Sequence, residues 1–171
     1  MRIVRNILLI AVVLLLQSTL VERMHFLGGR PDLAVLLLIY IAGGVSTAEA
    51  TLYGFLLGFV QDVYTPEYLG ANAFTMSFLG FMLGMLRETL AVEHSGVKTL
   101  TAFTACLVHD AVYLSVYTKL DFALFGGLFL KESLGGAAYT AFLAFLIIAA
   151  YEWSVGGGLR VVLRELTGFR R

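Results

Sequence analysis

From Ile7 to Leu16 the chain reads ILLIAVVLLL, ten residues without a polar side chain, and five more apolar stretches of helical length follow. A water-soluble domain of 171 residues cannot enclose that much apolar surface. Hydrophobic residues make up 59% of the chain and charged residues 14%, against about 45–50% and about 25% in soluble domains. Mean hydropathy is +0.86. The stretches lack the alternation of membrane-barrel strands. The expected fold is an all-α integral membrane protein with six transmembrane helices, near 3–21, 32–46, 50–65, 71–90, 99–118 and 133–154. A count of five stays open, with the second and third spans forming a hairpin that does not fully cross. Residues 1–154 would form the transmembrane domain and 155–171 a basic cytoplasmic or interfacial tail.

The first residues, MRIVRN, resemble the basic start of a signal peptide, but no A-x-A-type site follows, so the first helix reads as uncleaved. Pro31–Asp32 supplies initiation chemistry for the second helix: a fixed φ, then an acid at the positive end of the helix dipole. Thr47–Glu49 reads as a short turn, 92–98 as a polar loop, and 119–133 as a long connector. With the N terminus inside, the inner segments hold Arg2, Arg5, Arg87, Lys98, Arg160, Arg164, Arg170 and Arg171. The outer segments hold Arg23, Arg30, Lys119 and Lys131. This bias places both termini in the cytoplasm.

One sequence occurs twice. Residues 54–62 read GFLLGFVQD and residues 80–88 read GFMLGMLRE. Gly54, Gly58 and Asp62 fall on one helix face, as do Gly80, Gly84 and Glu88. Each copy is an apolar helix with a flat glycine seam ending in an acid. In lipid such a seam lets another backbone approach closely. Gly54, Gly58, Asp62, Gly70, Gly80, Gly84, Arg87 and Glu88 are therefore candidate partner-binding residues. The seam could instead be filled by the chain's own helices. Gly135, Gly136, Ala137, Ala141 and Ala144 give the sixth span a similar small-residue face.

Acids within membrane helices cost about 2.5–3.5 kcal/mol at the centre on insertion scales, and less near an interface. Asp62 either meets a polar partner on another helix or chain, or reaches the outer headgroups. Arg87–Glu88 is either an interfacial pair or a cytoplasmic contact. His109–Asp110 lies in the middle of the fifth span, with Cys106, Asp110, Tyr113 and Tyr117 in one stripe. A structural polar network involving Tyr113, a small-ligand pocket and a proton or ion path all stay open there. A metal is not expected, because His109 and Asp110 point about 100° apart on a helix and His25 and His94 lie in loops. No catalytic motif is present, no cofactor is expected, and a net charge of zero gives no case for nucleic acid. Cys106, the single cysteine, reads as a small buried apolar residue.

The runs PDLAVLLLIY (31–40), GFLLGFVQDVYTPEYLGANAF (54–74) and SFLGFMLGMLRE (77–88), in that order, resemble the bacterial rod shape-determining MreD family. Its members show a Pro-Asp start to the second helix, a G-F-x-x-G-x-x-x-D stretch, and a Gly-x-x-x-Gly helix ending near an Arg. The likeness covers about a third of the chain, residues 31–88. It implies a non-enzymatic subunit of the cell-elongation machinery in the cytoplasmic membrane. That subunit would bind the membrane helix of MreC and connect indirectly to MreB and peptidoglycan synthases. The family also looks similar in fold to the substrate-binding subunits of energy-coupling-factor transporters. This keeps an alternative function open: a vitamin-like small-molecule binding subunit using His109, Asp110, Tyr113, Tyr117 and the 119–133 connector.

Overall fold

The computed structural model describes residues 2–19, 29–64, 68–87, 95–119 and 121–155. They are helical almost throughout: α1 (Arg2–Thr19), α2 (Leu33–Ala42), α3 (Thr47–Tyr64), α4 (Ala71–Met85), α5 (Ser95–Tyr117), α6 (Phe122–Leu128) and α7 (Leu134–Val155). A π-helical turn, Phe129–Ser133, joins α6 to α7.

The centre of the bundle is α2, which packs against α1, α3, α4, α5 and α7. Ala34, Val35, Leu38 and Ala42 on it are wholly buried. Ten residues at about 1.5 Å each span about 15 Å, half of a hydrocarbon core of about 30 Å. The expected second span of 32–46 is thus too long: the helix ends at Ala42. There Gly43 and Gly44 donate their N–H groups back to the carbonyls of Ile39 and Ile41. The start of α2 lies inside the protein, where its free amides need partners.

Three boundaries differ from the sequence reading. Thr47–Glu49 is the first turn of α3, because Ser46 and Glu49 form a capping box. The Ser46 N–H donates to Glu49 Oε2 (2.9 Å) and the Glu49 N–H to Ser46 Oγ (3.3 Å). Ser95–Lys98, expected in a loop, opens α5. The expected 119–133 connector is largely helix. Asp121 caps α6 by accepting from the Ala123 and Leu124 N–H groups (3.0 and 3.2 Å), and the π turn carries the helix on into α7.

The surface inverts the soluble pattern. Phe55, Phe59, Phe74, Phe81, Phe142 and Tyr151 are among many large side chains facing outward, a surface that only lipid or a partner can cover. The segments Gly96–Tyr117 and Phe122–Ser154 are long and apolar enough to cross a membrane. Ile3–Thr19, Leu33–Ala42 and Ala71–Met85 are apolar but shorter.

Candidate functional site

The two repeat copies form an antiparallel hairpin, α3 against α4, and their glycine faces meet each other. A β-carbon on Gly54 would strike the Met76 carbonyl oxygen, and one on Gly58 the Asn72 carbonyl oxygen. One on Gly80 would strike the Ala50 carbonyl oxygen, and one on Gly84 would lie 2.7 Å from the Thr47 Cα. The copies are 26 residues apart, Gly54 to Gly80. Shifting by that spacing turns the Gly54–Met76 contact into the Ala50–Gly80 contact. The repeat therefore builds a pseudo-two-fold interface with itself. Of the two outcomes left open by the sequence, the seam is filled from within the chain, and these glycines have no room for a foreign helix.

Asp62 ends the first copy and is completely buried. Its partner is the start of α4. Oδ2 accepts from the Gly70 and Ala73 N–H groups (2.9 Å each). Oδ1 accepts from the Asn72 N–H (3.0 Å) and the Asn72 side-chain amide (3.1 Å). Four donors and the positive end of a helix dipole hold the carboxylate, with no cation paired to it among the described residues. Asp62 thus does not reach toward the headgroups. It ties the end of one seam helix to the start of the other. Gly70 adopts a left-handed φ of +100°, so a side chain there would be strained. Glu88, the equivalent of Asp62 in the second copy, lies outside the described residues. The α3 start is served by the Ser46–Glu49 box instead. Arg87 is exposed at the far end of α4.

The start of α2 forms the second polar centre, drawing on three other helices. Asp32 Oδ1 accepts from the Ala34 and Val35 N–H groups (2.9 and 3.0 Å). The Leu33 N–H donates to Gln17 Oε1 of α1 (3.0 Å), and the Gln17 side-chain amide donates to the Pro31 carbonyl (3.3 Å). The Asp32 N–H donates to Thr140 Oγ1 of α7 (2.9 Å), whose hydroxyl donates to the Gly136 carbonyl (2.8 Å). Every amide from Asp32 to Val35 is therefore satisfied by a side chain. The chain can approach α7 this closely because Gly29 lies against the Gly135–Gly136 backbone. That contact fills part of the small-residue face of α7 from within.

His109 of α5 borders this centre and is 7% exposed. Its Nδ1 lies 3.1 Å from Asp110 Oδ1 and 4.0 Å from Asp32 Oδ2. With the proton on Nδ1 the ring donates to Asp110 while facing Asp32. Asp110 is partly exposed, and His109 takes the buried place. Tyr113 stacks on His109 (centroids 6.1 Å apart) and on Tyr117 (6.1 Å), and Tyr117 meets Tyr68 before α4 (4.6 Å). The ring ladder links α5 to the α3–α4 hairpin, and Cys106 is buried on the same helix. Among the described residues no group of His, Cys, Asp or Glu is arranged to hold a metal.

Gln17 and Thr140 were not singled out from the sequence. The available signal was a single hydrogen-bonding side chain inside an apolar run, close to a helix start that must be capped away from water. Because the α2 amides are already occupied, this centre acts as a joint; His109 Nε2 is the buried polar atom beside it that has no hydrogen-bond partner among the described residues. Thr140→Val should lower stability by about 1–2 kcal/mol, since it orphans the buried Asp32 N–H. Thermal unfolding of the purified protein in mild detergent measures this.

No curated protein and no solved structure matches the chain. A family model, that of the rod shape-determining protein MreD, matches residues 1–153, nearly all of the helical bundle. The chain thus belongs to the MreD family of membrane proteins that determine rod shape.

Proposed function

We propose that this chain is a non-enzymatic membrane subunit of the cell-elongation machinery that binds the membrane helix of MreC. Through that contact it helps to organise peptidoglycan synthesis, with MreB and the synthases as indirect partners. In this reading the chain lies in the cytoplasmic membrane with both termini inside, and α2, which covers only about half of the hydrocarbon core as a helix, is the one of its six apolar segments that is not a full helical span. The tail expected at 155–171, all but its first residue outside the described structure, faces the cytoplasm.

The observation that carries the reading is the division of labour on the α3–α4 hairpin. Its inner faces are spent on each other, and its polar end is closed by Asp62. The outer faces present Phe55 and Phe59, stacked 5.8 Å apart, together with Phe74, Phe81 and Met85, all exposed. A rigid hairpin with an aromatic outer face suits lateral docking of an apolar helix, since packing contacts drive helix association in lipid. The partner-binding role expected of the glycines passes to these outward residues. The glycines act by holding the hairpin flat.

The double variant Phe55→Ala/Phe59→Ala tests this. It should reduce co-purification of MreC in mild detergent about tenfold, the effect of losing roughly 1.4 kcal/mol at an interface. Folded yield should stay unchanged, because both side chains point away from the bundle. Undiminished MreC recovery would remove this face from the proposal.

A further inference from the structure

Phe103, Asp110 and Tyr117 recur every seventh residue and share one side of α5. Tyr117 meets Tyr68 just before α4, so this side is turned toward α4, a neighbour of α5 in the bundle. Asp110 keeps 30% of its side-chain surface, and Asp32, whose Oδ2 lies 4.0 Å from His109 Nδ1, keeps 22%. His109 Nδ1 engages Oδ1 of Asp110, which leaves Oδ2 for another donor. Among the described residues no lysine or arginine pairs with either acid. With both acids ionised, the three side chains stay net negative even when His109 is a cation. Depth makes this costly. Asp110 stands two turns before Tyr117, about 10 Å along the helix. With Tyr68 and Tyr117 in the outer tyrosine belt, its carboxylate lies about a third of the way into a hydrocarbon core of about 30 Å. An acid there needs a partner. Phe78 of α4, two turns past Gly70, is exposed at a similar depth.

We propose that the groove between α4 and α5 receives a membrane helix carrying a lysine or arginine, whose cation pairs with Asp110 in the field of Asp32. The inference rests on the reading that a partner helix docks on the α3–α4 hairpin, and it adds the chemistry that partner must show: one basic residue about 10 Å below the outer end of an otherwise apolar helix. Charge complementarity carries it. The groove offers a net negative group at a depth where water is scarce and an ion pair is strong. A basic side chain brings a long apolar stem that lies along surfaces such as Phe78 while its head reaches the carboxylate. His109 positions Asp110 by holding its other oxygen.

The test places the full chain in phosphatidylcholine nanodiscs with synthetic polyleucine helices that differ only in carrying lysine or leucine two turns in from the labelled end. Energy transfer from a label at the outer end of the chain reads association. The lysine helix should bind about tenfold more tightly than the leucine helix. Moving the lysine two turns deeper should remove the gain. Asp110→Asn should remove it too, and Asp110→Glu should keep most of it. Asparagine retains an oxygen for the His109 Nδ1–H, so the Tm of the chain alone should change by less than about 2 °C in Asp110→Asn. Equal binding of the two helices would overturn the proposal, as would a lysine preference that survives in Asp110→Asn. A larger fall in the Tm of that variant without any peptide would give the carboxylate to a cation of this chain and overturn it as well. Recovery of MreC separates this inference from the reading beneath it. MreC lost from Phe55→Ala/Phe59→Ala but retained by Asp110→Asn would sink the groove and leave the aromatic face standing. A lysine preference that depends on Asp110, with no MreC recovered even by the wild type, would do the reverse.

Discussion

Gly58→Leu should abolish recovery of folded protein from the membrane, whereas Gly126→Leu should leave it intact. A β-carbon on Gly58 runs into the Asn72 carbonyl and the Ala73 amide, both backbone groups that no side-chain rotation can clear. Nothing lies within 4 Å of the same atom on Gly126. The damage does not stop at the clash. Asn72 and Ala73 also supply three of the four donors to Asp62. Pushing α4 away from Gly58 therefore pulls those donors from the carboxylate. Overpacking alone costs about 1–3 kcal/mol. Exposing a buried carboxylate's unmet demand adds several more. Together these approach the whole stability of a typical domain, about 5–15 kcal/mol. Size-exclusion profiles of the solubilised protein give folded yield directly, and a normal profile for Gly58→Leu would show that α3 and α4 do not meet at this register.

Asp62→Ala should destabilise the protein by about 3–5 kcal/mol, the range for removing one side of a buried charged contact. That corresponds to a fall in Tm of about 10 °C for a domain of this size. Three backbone N–H groups and the Asn72 amide would lose their acceptor where the side chain was wholly buried. Asp62→Asn should fall between the two. It keeps one oxygen, but its amide group points donors at donors. The order wild type, Asn, Ala in thermal unfolding separates this role from an acid that only reaches the membrane surface. In that second case both variants would unfold with the wild type.

Much of the frame is legible in the sequence, because helix periodicity and capping are local. Glycines at i and i+4 define a flat face, and Pro31–Asp32 announces a helix start. Local rules do not say which surface a face will meet. The seam read equally well as a dock for a partner and as a self-contact, and only the register of α3 on α4 separates them. The same limit applies to Asp62, whose partners follow a turn and sit on the next helix. The apolar run after Asp32 continues to Val45 and suggests a longer α2, while the helix ends where two consecutive glycines let the chain turn. The 119–133 segment shows the opposite effect. Gly126, Gly127, Lys131 and Glu132 carry loop chemistry, yet an apolar segment against lipid closes its backbone hydrogen bonds by staying helical. His109–Asp110 stood out as misplaced polarity. Its connection to Asp32 and its neighbours Gln17 and Thr140 joins parts of the chain far apart in sequence.

The central claim is that the glycine repeat binds the chain to itself and leaves partner contact to the outward aromatic face. Gly84→Ala tests it most directly, because a single methyl group 2.7 Å from the Thr47 Cα perturbs the seam and leaves that face untouched. The measurement is MreC recovered per folded molecule, taken together with the Tm of the same preparation. The account predicts a lowered Tm and a reduced folded yield with an unchanged MreC ratio. A wild-type Tm and yield combined with lost MreC would contradict it and return the seam to the partner.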